Sequence, residues 1–257
     1  MMKSTNQQDD SKKQQTSKHR TDAEKENIIV KVQAFTEKYS KKILIISGSV
    51  IGAVVIIFLV KYFIDNAAEK EHAEASIKID RIMQYYTSGD YQKALYGDST
   101  KKINNEDVIG LIAIADKYSS INEGKRAALY AAHSLEINGN YEEAKKYYEM
   151  AAESDSKVMR EGATVGIAAC KEALNDIEGA LKEYEKAIEI AEIPTQKSRY
   201  QYFAALLYEK KGDKEKAGNL YKSIINDYII VDNNSDIKSE FIQFAKNGLA
   251  RLGMEIE

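Results

Sequence analysis

His19, His72 and His133 are the histidines of this chain and Cys170 is its single cysteine. These side chains most readily ligate a metal, pass a proton near neutrality or attack as nucleophiles, so their surroundings decide whether the chain does chemistry. The histidines fall in a polar N-terminal stretch, a charged stretch after an apolar run, and a helix-forming segment between Ala132 and Ser134, with no cluster of carboxylates or cysteines at ligand spacing. His133 reads as a solvated or groove-facing side chain. Cys170 follows Ala168 and Ala169, has no His or Asp near it in sequence, and reads as a small packed residue. There is no Gly-rich phosphate loop, GxSxG elbow or paired-carboxylate motif. The expectation is a protein without metal, cofactor or catalytic residues that recognises other proteins.

The stretch with the strongest physical consequence is Ile43 to Val60, eighteen residues without a charge. As a helix it spans roughly 27 Å, near the thickness of a bilayer's hydrocarbon core. With Tyr62 and Phe63 at the interface, a membrane helix is expected over residues 43–63. Gly48 and Gly52, with Ser49 and Ala53, place small residues on one side of it, where two membrane helices can approach; chance occurrence of glycine is the competing explanation. Residues 1–42 hold ten Lys or Arg against six Asp or Glu, with Lys38, Lys41 and Lys42 next to the apolar run, whereas Phe63 to Asp80 holds Lys70 and Lys78 against five acids. This asymmetry predicts a cytoplasmic N-terminus and residues 64–257 on the far side. A cleaved signal peptide, for which Ala73-Glu74-Ala75 offers a cleavage-like site, fits less well, since the apolar core is long and preceded by forty-two residues.

Ahead of the anchor, residues 1–22 are polar without apolar periodicity and are expected to be a disordered tail. Over residues 23–42, Ile28, Val32, Phe35 and Tyr39 share one helix face among lysines, either an amphipathic juxtamembrane helix or a helical extension of the anchor. Residues 66–257 carry 26 Lys and Arg against 33 Asp and Glu, an acidic balance that argues against nucleic acid as a partner. One proline, no tryptophan, and abundant Lys, Glu, Ala and Ile point to helices throughout.

The chain repeats itself. NGNYEEAKKYYEMA (138–151), LNDIEGALKEYEKA (174–187) and KGDKEKAGNLYKSI (211–224) align Ala144, Ala180 and Ala217, then Tyr148, Tyr184 and Tyr221, after a turn at Gly139, Asn175 and Gly212. The periods are 36 and 37 residues. A degenerate copy over residues 76–98 repeats the turn at Gly89 and the alanine at Ala94, but its alanine lies 50 residues before Ala144. An added helix bearing Val108, Leu111, Ile112, Ile114, Ala115 and Tyr118 is expected in that gap. Each unit reads as two antiparallel helices, with the alanine small because the partner helix crosses there and the tyrosine filling the gap to the next pair. Ser235 or Asp236 is expected to start a capping helix over 236–252 bearing Ile237, Phe241, Phe244, Ala245 and Leu249.

These residues resemble the tetratricopeptide repeat, best over 125–228, although Ala128, Thr164 and Gln201 replace its large early aromatic and the periods exceed the family's roughly 34. The fold class implied is all-α: a tetratricopeptide-like helical-hairpin solenoid over 64–257 behind one N-terminal transmembrane helix. By family position, Arg126, Leu129, His133, Val165, Tyr202 and Leu206 would line a concave protein-binding groove, or pack inward against a neighbouring helix. The whole arrangement resembles single-pass bacterial inner-membrane proteins typified by an ancillary subunit of the Sec translocon. That resemblance implies a periplasmic module whose partners are the translocon, envelope chaperones or client chains. A structural scaffold that self-associates into a homo-oligomer within an envelope complex is the alternative.

Overall fold

The computed structural model describes residues 6–231 and 240–255, with side chains described within 25–42, 49–227 and 240–255. The chain divides into two compact units, Met1–Ala68 and Glu69–Glu257. Helix α1 (Asn6–Thr87) contributes to both. Residues 6–22 are therefore helical where a disordered tail is expected, and 23–42 continue without a break into 43–63, as in the reading of that stretch as a helical extension of the anchor; residues 1–5 lie outside the described residues. Gly and Pro are absent before Gly48, and the Gln, Lys and Glu of the leading segment are good helix formers, so nothing there breaks a helix already running. Ser49–Thr87 contains an 18-residue window of mean hydropathy 2.0, none of it buried, and is the one helix among the described residues long and apolar enough to cross a membrane.

In the second unit, residues 69–87 of α1 start a stack of antiparallel hairpins. α4 (Asn122–Ile137) pairs with α5 (Tyr141–Ala152), α6 (Lys157–Ala173) with α7 (Ile177–Ile190), and α8 (Pro194–Lys211) with α9 (Lys214–Val231). α10 (Glu240–Leu252) packs on α9 and α8 through the fully buried Ala245 and Leu249. The expected cap residues Ser235 and Asp236, with Ile237, lie outside the described residues.

One turn design recurs four times. Gly89, Gly139, Asn175 and Gly212 take the left-handed conformation, with φ of 79°, 79°, 65° and 81°. The next residue's N–H reaches back five residues to a helix carbonyl in every copy, as in Asn140 N to Leu135 O at 2.9 Å and Asp176 N to Lys171 O at 2.8 Å. That same residue opens the second helix: Asp90, Asp176 and Asp213 accept from the N–H three residues on. A Cβ on Gly139 would meet nothing within 4 Å, so backbone conformation and not space selects glycine there.

Between the helices, Ala94, Ala144, Ala180 and Ala217 are fully buried, as are Ala131, Ala132, Ala168, Ala204 and Ala205 of the facing first helices. The tyrosines then reach across to the next unit. A Cβ on Gly166 of α6 would overlap the ring of Tyr148, and one on Gly248 of α10 the ring of Tyr221. Burial is continuous along the stack in two overlapping clusters, Ala75 to Cys170 and Ala168 to Leu249, which meet at α6.

The element in the 50-residue gap is not simply an added helix. After α2 (Tyr91–Tyr96) the chain forms a β-hairpin, β1 (Gly97–Ile103) and β2 (Glu106–Ile109), then α3 (Leu111–Lys117). Asn104 and Asn105, at φ of 55° and 62°, make its two-residue turn, and Val108 is buried from a strand, not a helix. The hairpin returns the chain to where it left. A Cβ on Gly110 would overlap the Leu95 carbonyl and the Tyr96 backbone, and one on Gly97 the Val108 carbonyl. Residues 97–110 number fourteen, and without them Ala94 would precede Ala144 by 36 residues, the period seen downstream. Ala115 then falls in register with Ala151 and Ala187, all fully buried, and α3 packs on α4 as α5 does on α6. α2 and α3 are thus one second helix, split by a ribbon. Tyr85 Oη donates to Asp98 Oδ2 at 2.7 Å and Arg81 Nη1 to Glu106 at 2.5 Å, tying the ribbon to α1.

Gly139→Ala is expected to cost about 1 kcal/mol in urea denaturation, because it forces a Cβ into the left-handed region, while Asn175→Gly is neutral or stabilising. Deleting residues 97–110, joining Tyr96 to Leu111, is expected to leave helical circular dichroism and cooperative unfolding in place; loss of the cooperative transition would show that the ribbon, not the split helix, holds the first repeat together.

Candidate protein-binding groove

Arg126, Leu129 and His133 lie on α4, Val165 on α6, and Tyr202 and Leu206 on α8. His133 is exposed and the other five are half-buried. Leu129 packs against the first apolar cluster, Val165 and Tyr202 against the second. The guanidinium of Arg126 carries a buried Nε without a hydrogen-bond partner. Gly52 has nothing within 4 Å of where its Cβ would stand, and the side-chain position of Gly48 lies outside the described residues.

The structure gathers around these residues aromatic groups of which the sequence singles out only Phe241 and Phe244, as part of the capping helix. At one end, Tyr86 of α1 meets Tyr130 (4.9 Å between centroids), His133 (5.8 Å) and Tyr91 (6.0 Å), and Tyr86 Oη is hydrogen-bonded to His133 Nδ1 at 3.0 Å. At the other, Tyr202 meets Phe244 (5.4 Å) and Phe241 (5.9 Å) of α10. Of the other histidines, His72 Nδ1 lies 2.6 Å from Glu123 Oε2 and His19 falls outside the described side chains.

A repeated polar pair accompanies the repeated tyrosine. Tyr148 Oη donates to Glu136 at 2.5 Å, Tyr184 Oη to Glu172 at 3.4 Å, and Tyr221 Oη to Glu209, each twelve residues apart and each joining the end of a first helix to the second. The equivalents in the first repeat are Tyr86 and Ile112, so both partners change together. The signal was available as a Glu-Tyr recurrence at the repeat period, but it crosses a turn and so escapes helical periodicity. Burial foremost, and then the facing carboxylate, raises the proton affinity of Tyr148, Tyr184 and Tyr221 above the ordinary tyrosine value.

Cys170 is fully buried, and burial pushes its thiol up to about 12, which leaves no thiolate for attack near neutrality. Among the described residues, no group of three or more His, Cys, Asp or Glu is placed to hold a metal ion. On α5, Lys145 pairs with Glu142 at 2.8 Å, and Lys146 stands over the Tyr147 ring.

Stacked hairpins with a left-handed turn, a crossing alanine and a bridging tyrosine define an all-α, tetratricopeptide-like solenoid, a fold that typically serves as a non-enzymatic scaffold for protein contacts. No family model matches the chain. Over 138 residues it is 30% identical to a TPR repeat-containing protein of Methanocaldococcus jannaschii, a match covering 53% of this chain and 23% of that protein.

Tyrosines with raised proton affinity hold their protons in the folded state after unfolded ones have lost theirs. Their stabilisation is complete below about pH 10 and declines as pH rises further. In an alkaline titration, part of the tyrosinate absorbance is expected to appear only with the loss of helical circular dichroism; ionisation of every tyrosine near pH 10 with the helices intact would contradict it.

Proposed function

We propose that the chain is a membrane-anchored protein-interaction module: α1 crosses the bacterial cytoplasmic membrane through residues 43–63, the basic N-terminal segment stays in the cytoplasm, and the solenoid works outside, at the envelope face. The observation that carries this reading is the conjunction, in one chain, of an exposed membrane-length apolar helix and a tetratricopeptide-like stack. The excess of lysine before the apolar run and of acid after it supports the orientation. The groove of Arg126, Leu129, His133, Val165, Tyr202 and Leu206 holds segments of translocating chains, translocon subunits or envelope chaperones. A scaffold role through self-association is the second reading, supported by the small residues Gly48, Ser49, Gly52 and Ala53 of the apolar helix.

Protease added to spheroplasts is expected to digest residues 69–257 while an epitope at Met1 survives. Proximity labelling from a C-terminal fusion is expected to enrich export and folding factors. Survival of the C-terminal unit reverses the orientation, and labelling of this chain alone decides for the scaffold.

A further inference from the structure

The Glu-Tyr pairs are not equivalent in what they hold. In the last copy, Arg251 of α10 closes on the pair, with Nη2 2.9 Å from Glu209 Oε1 and 3.4 Å from Tyr221 Oη. In the two preceding copies, Glu136 with Tyr148 and Glu172 with Tyr184 repeat the carboxylate and phenol, both acids half-buried, but among the described residues no lysine or arginine pairs with either. The stack itself therefore displays the group that such a pair accepts, and leaves two pairs open.

The aromatic rings show the same contrast. Within the second unit a lysine or arginine stands over Tyr85, Tyr118, Tyr147, Tyr200 and Tyr208 at 4.8 to 5.8 Å from the ring centroid. Tyr86, Tyr91 and Tyr130, among the described residues, have none, as is also true of Tyr96, Tyr141, Tyr148, Tyr184, Tyr202 and Tyr221. Their rings and that of His133 are not stacked flat: Tyr86 meets Tyr91 at 76°, Tyr130 at 58° and His133 at 56°, and Tyr91 meets His133 at 81°. The four rings thus form one inclined cluster, and their faces carry the negative side of the quadrupole. Glu136, which accepts from Tyr148, lies one helical turn beyond His133 on α4, so the carboxylate and the aromatic cluster share a helix face. The surrounding residues 66–257 are net acidic.

We propose that the cluster of Tyr86, Tyr91, Tyr130 and His133, with Glu136 one helical turn along α4 and Glu172 one repeat further, receives arginine or lysine side chains of a basic segment in a partner protein. The proposal rests on reading the second unit as a protein-binding module, and it specifies the partner's chemistry. Charge complementarity selects a cationic segment over an apolar one, and the Arg251 contact supplies the geometry in which a guanidinium meets a Glu-Tyr pair.

The test uses the full-length chain in a non-ionic detergent. Because the chain lacks tryptophan, a twelve-residue Gly-Ser-Leu peptide with one Trp and two arginines can be followed by its own fluorescence anisotropy. The same peptide with citrulline at both arginine positions keeps the shape and removes the charge. The arginine peptide is expected to bind about tenfold more tightly, consistent with a desolvated cation on aromatic faces. Tyr86→Leu and Glu136→Gln should each remove most of that ratio while leaving citrulline-peptide binding and the helical spectrum unchanged. Equal binding of the two peptides, or an undiminished ratio in both variants, overturns the cationic site and leaves a groove for uncharged segments standing. Failure of both peptides to bind at millimolar concentration also overturns it, and the in-cell labelling described above then decides the module reading separately.

Discussion

Two helices joined by a short turn bury one face against each other and leave a second apolar face uncovered. The second unit is organised by how that remaining face is covered. Ala144, Ala180 and Ala217 bring each hairpin close enough that the tyrosine four residues on projects beyond its own pair. Tyr148 then occupies the space left by Gly166, and Tyr221 that left by Gly248, in the helix that follows. Each unit is completed by its successor, and the series ends at α10, which supplies a final surface for α9 and a guanidinium for the last tyrosine.

The tyrosine is also why the interface is polar at its rim. A phenylalanine would fill the same space, but the hydroxyl reaches back to a glutamate at the end of its own first helix, so one side chain closes the hairpin and couples it to the next. In the first repeat both partners are exchanged. Ile112 keeps the packing role, and Tyr86, at the glutamate's position, turns towards Tyr130 and His133 of the following unit. The place where the motif decays is the place where an aromatic surface forms.

Much of this was legible in the sequence because alanine, tyrosine and the turn residue recur at a fixed period, and each had a physical role that the structure shows: crossing distance, gap filling and a left-handed φ. The ribbon was not. Val108 and Ile109 fall in phase with the helix that follows, so a helical pattern absorbs them, while the Asn104-Asn105 turn was the available but weaker sign of a hairpin. The start of α1 was misread for the opposite reason: polar composition argues for disorder only when no neighbouring helix extends into it. Of the proposed groove residues, position on the first helices could be read from the repeat, but the partners of His133 could not, because Tyr86 and Tyr91 belong to the copy least like the others.

The ribbon between Tyr96 and Leu111 leaves and re-enters the helix at nearly one point, as the close approach of Gly110 to Leu95 requires. Its length is consequently uncoupled from the geometry of the stack. Strands could be lengthened, or the Asn-Asn tip replaced by a larger loop, without changing the pitch or phase of any repeat downstream. The first repeat thus carries a position at which new sequence can be accommodated at constant superhelix, much as a side chapel leaves the spacing of a nave's columns untouched.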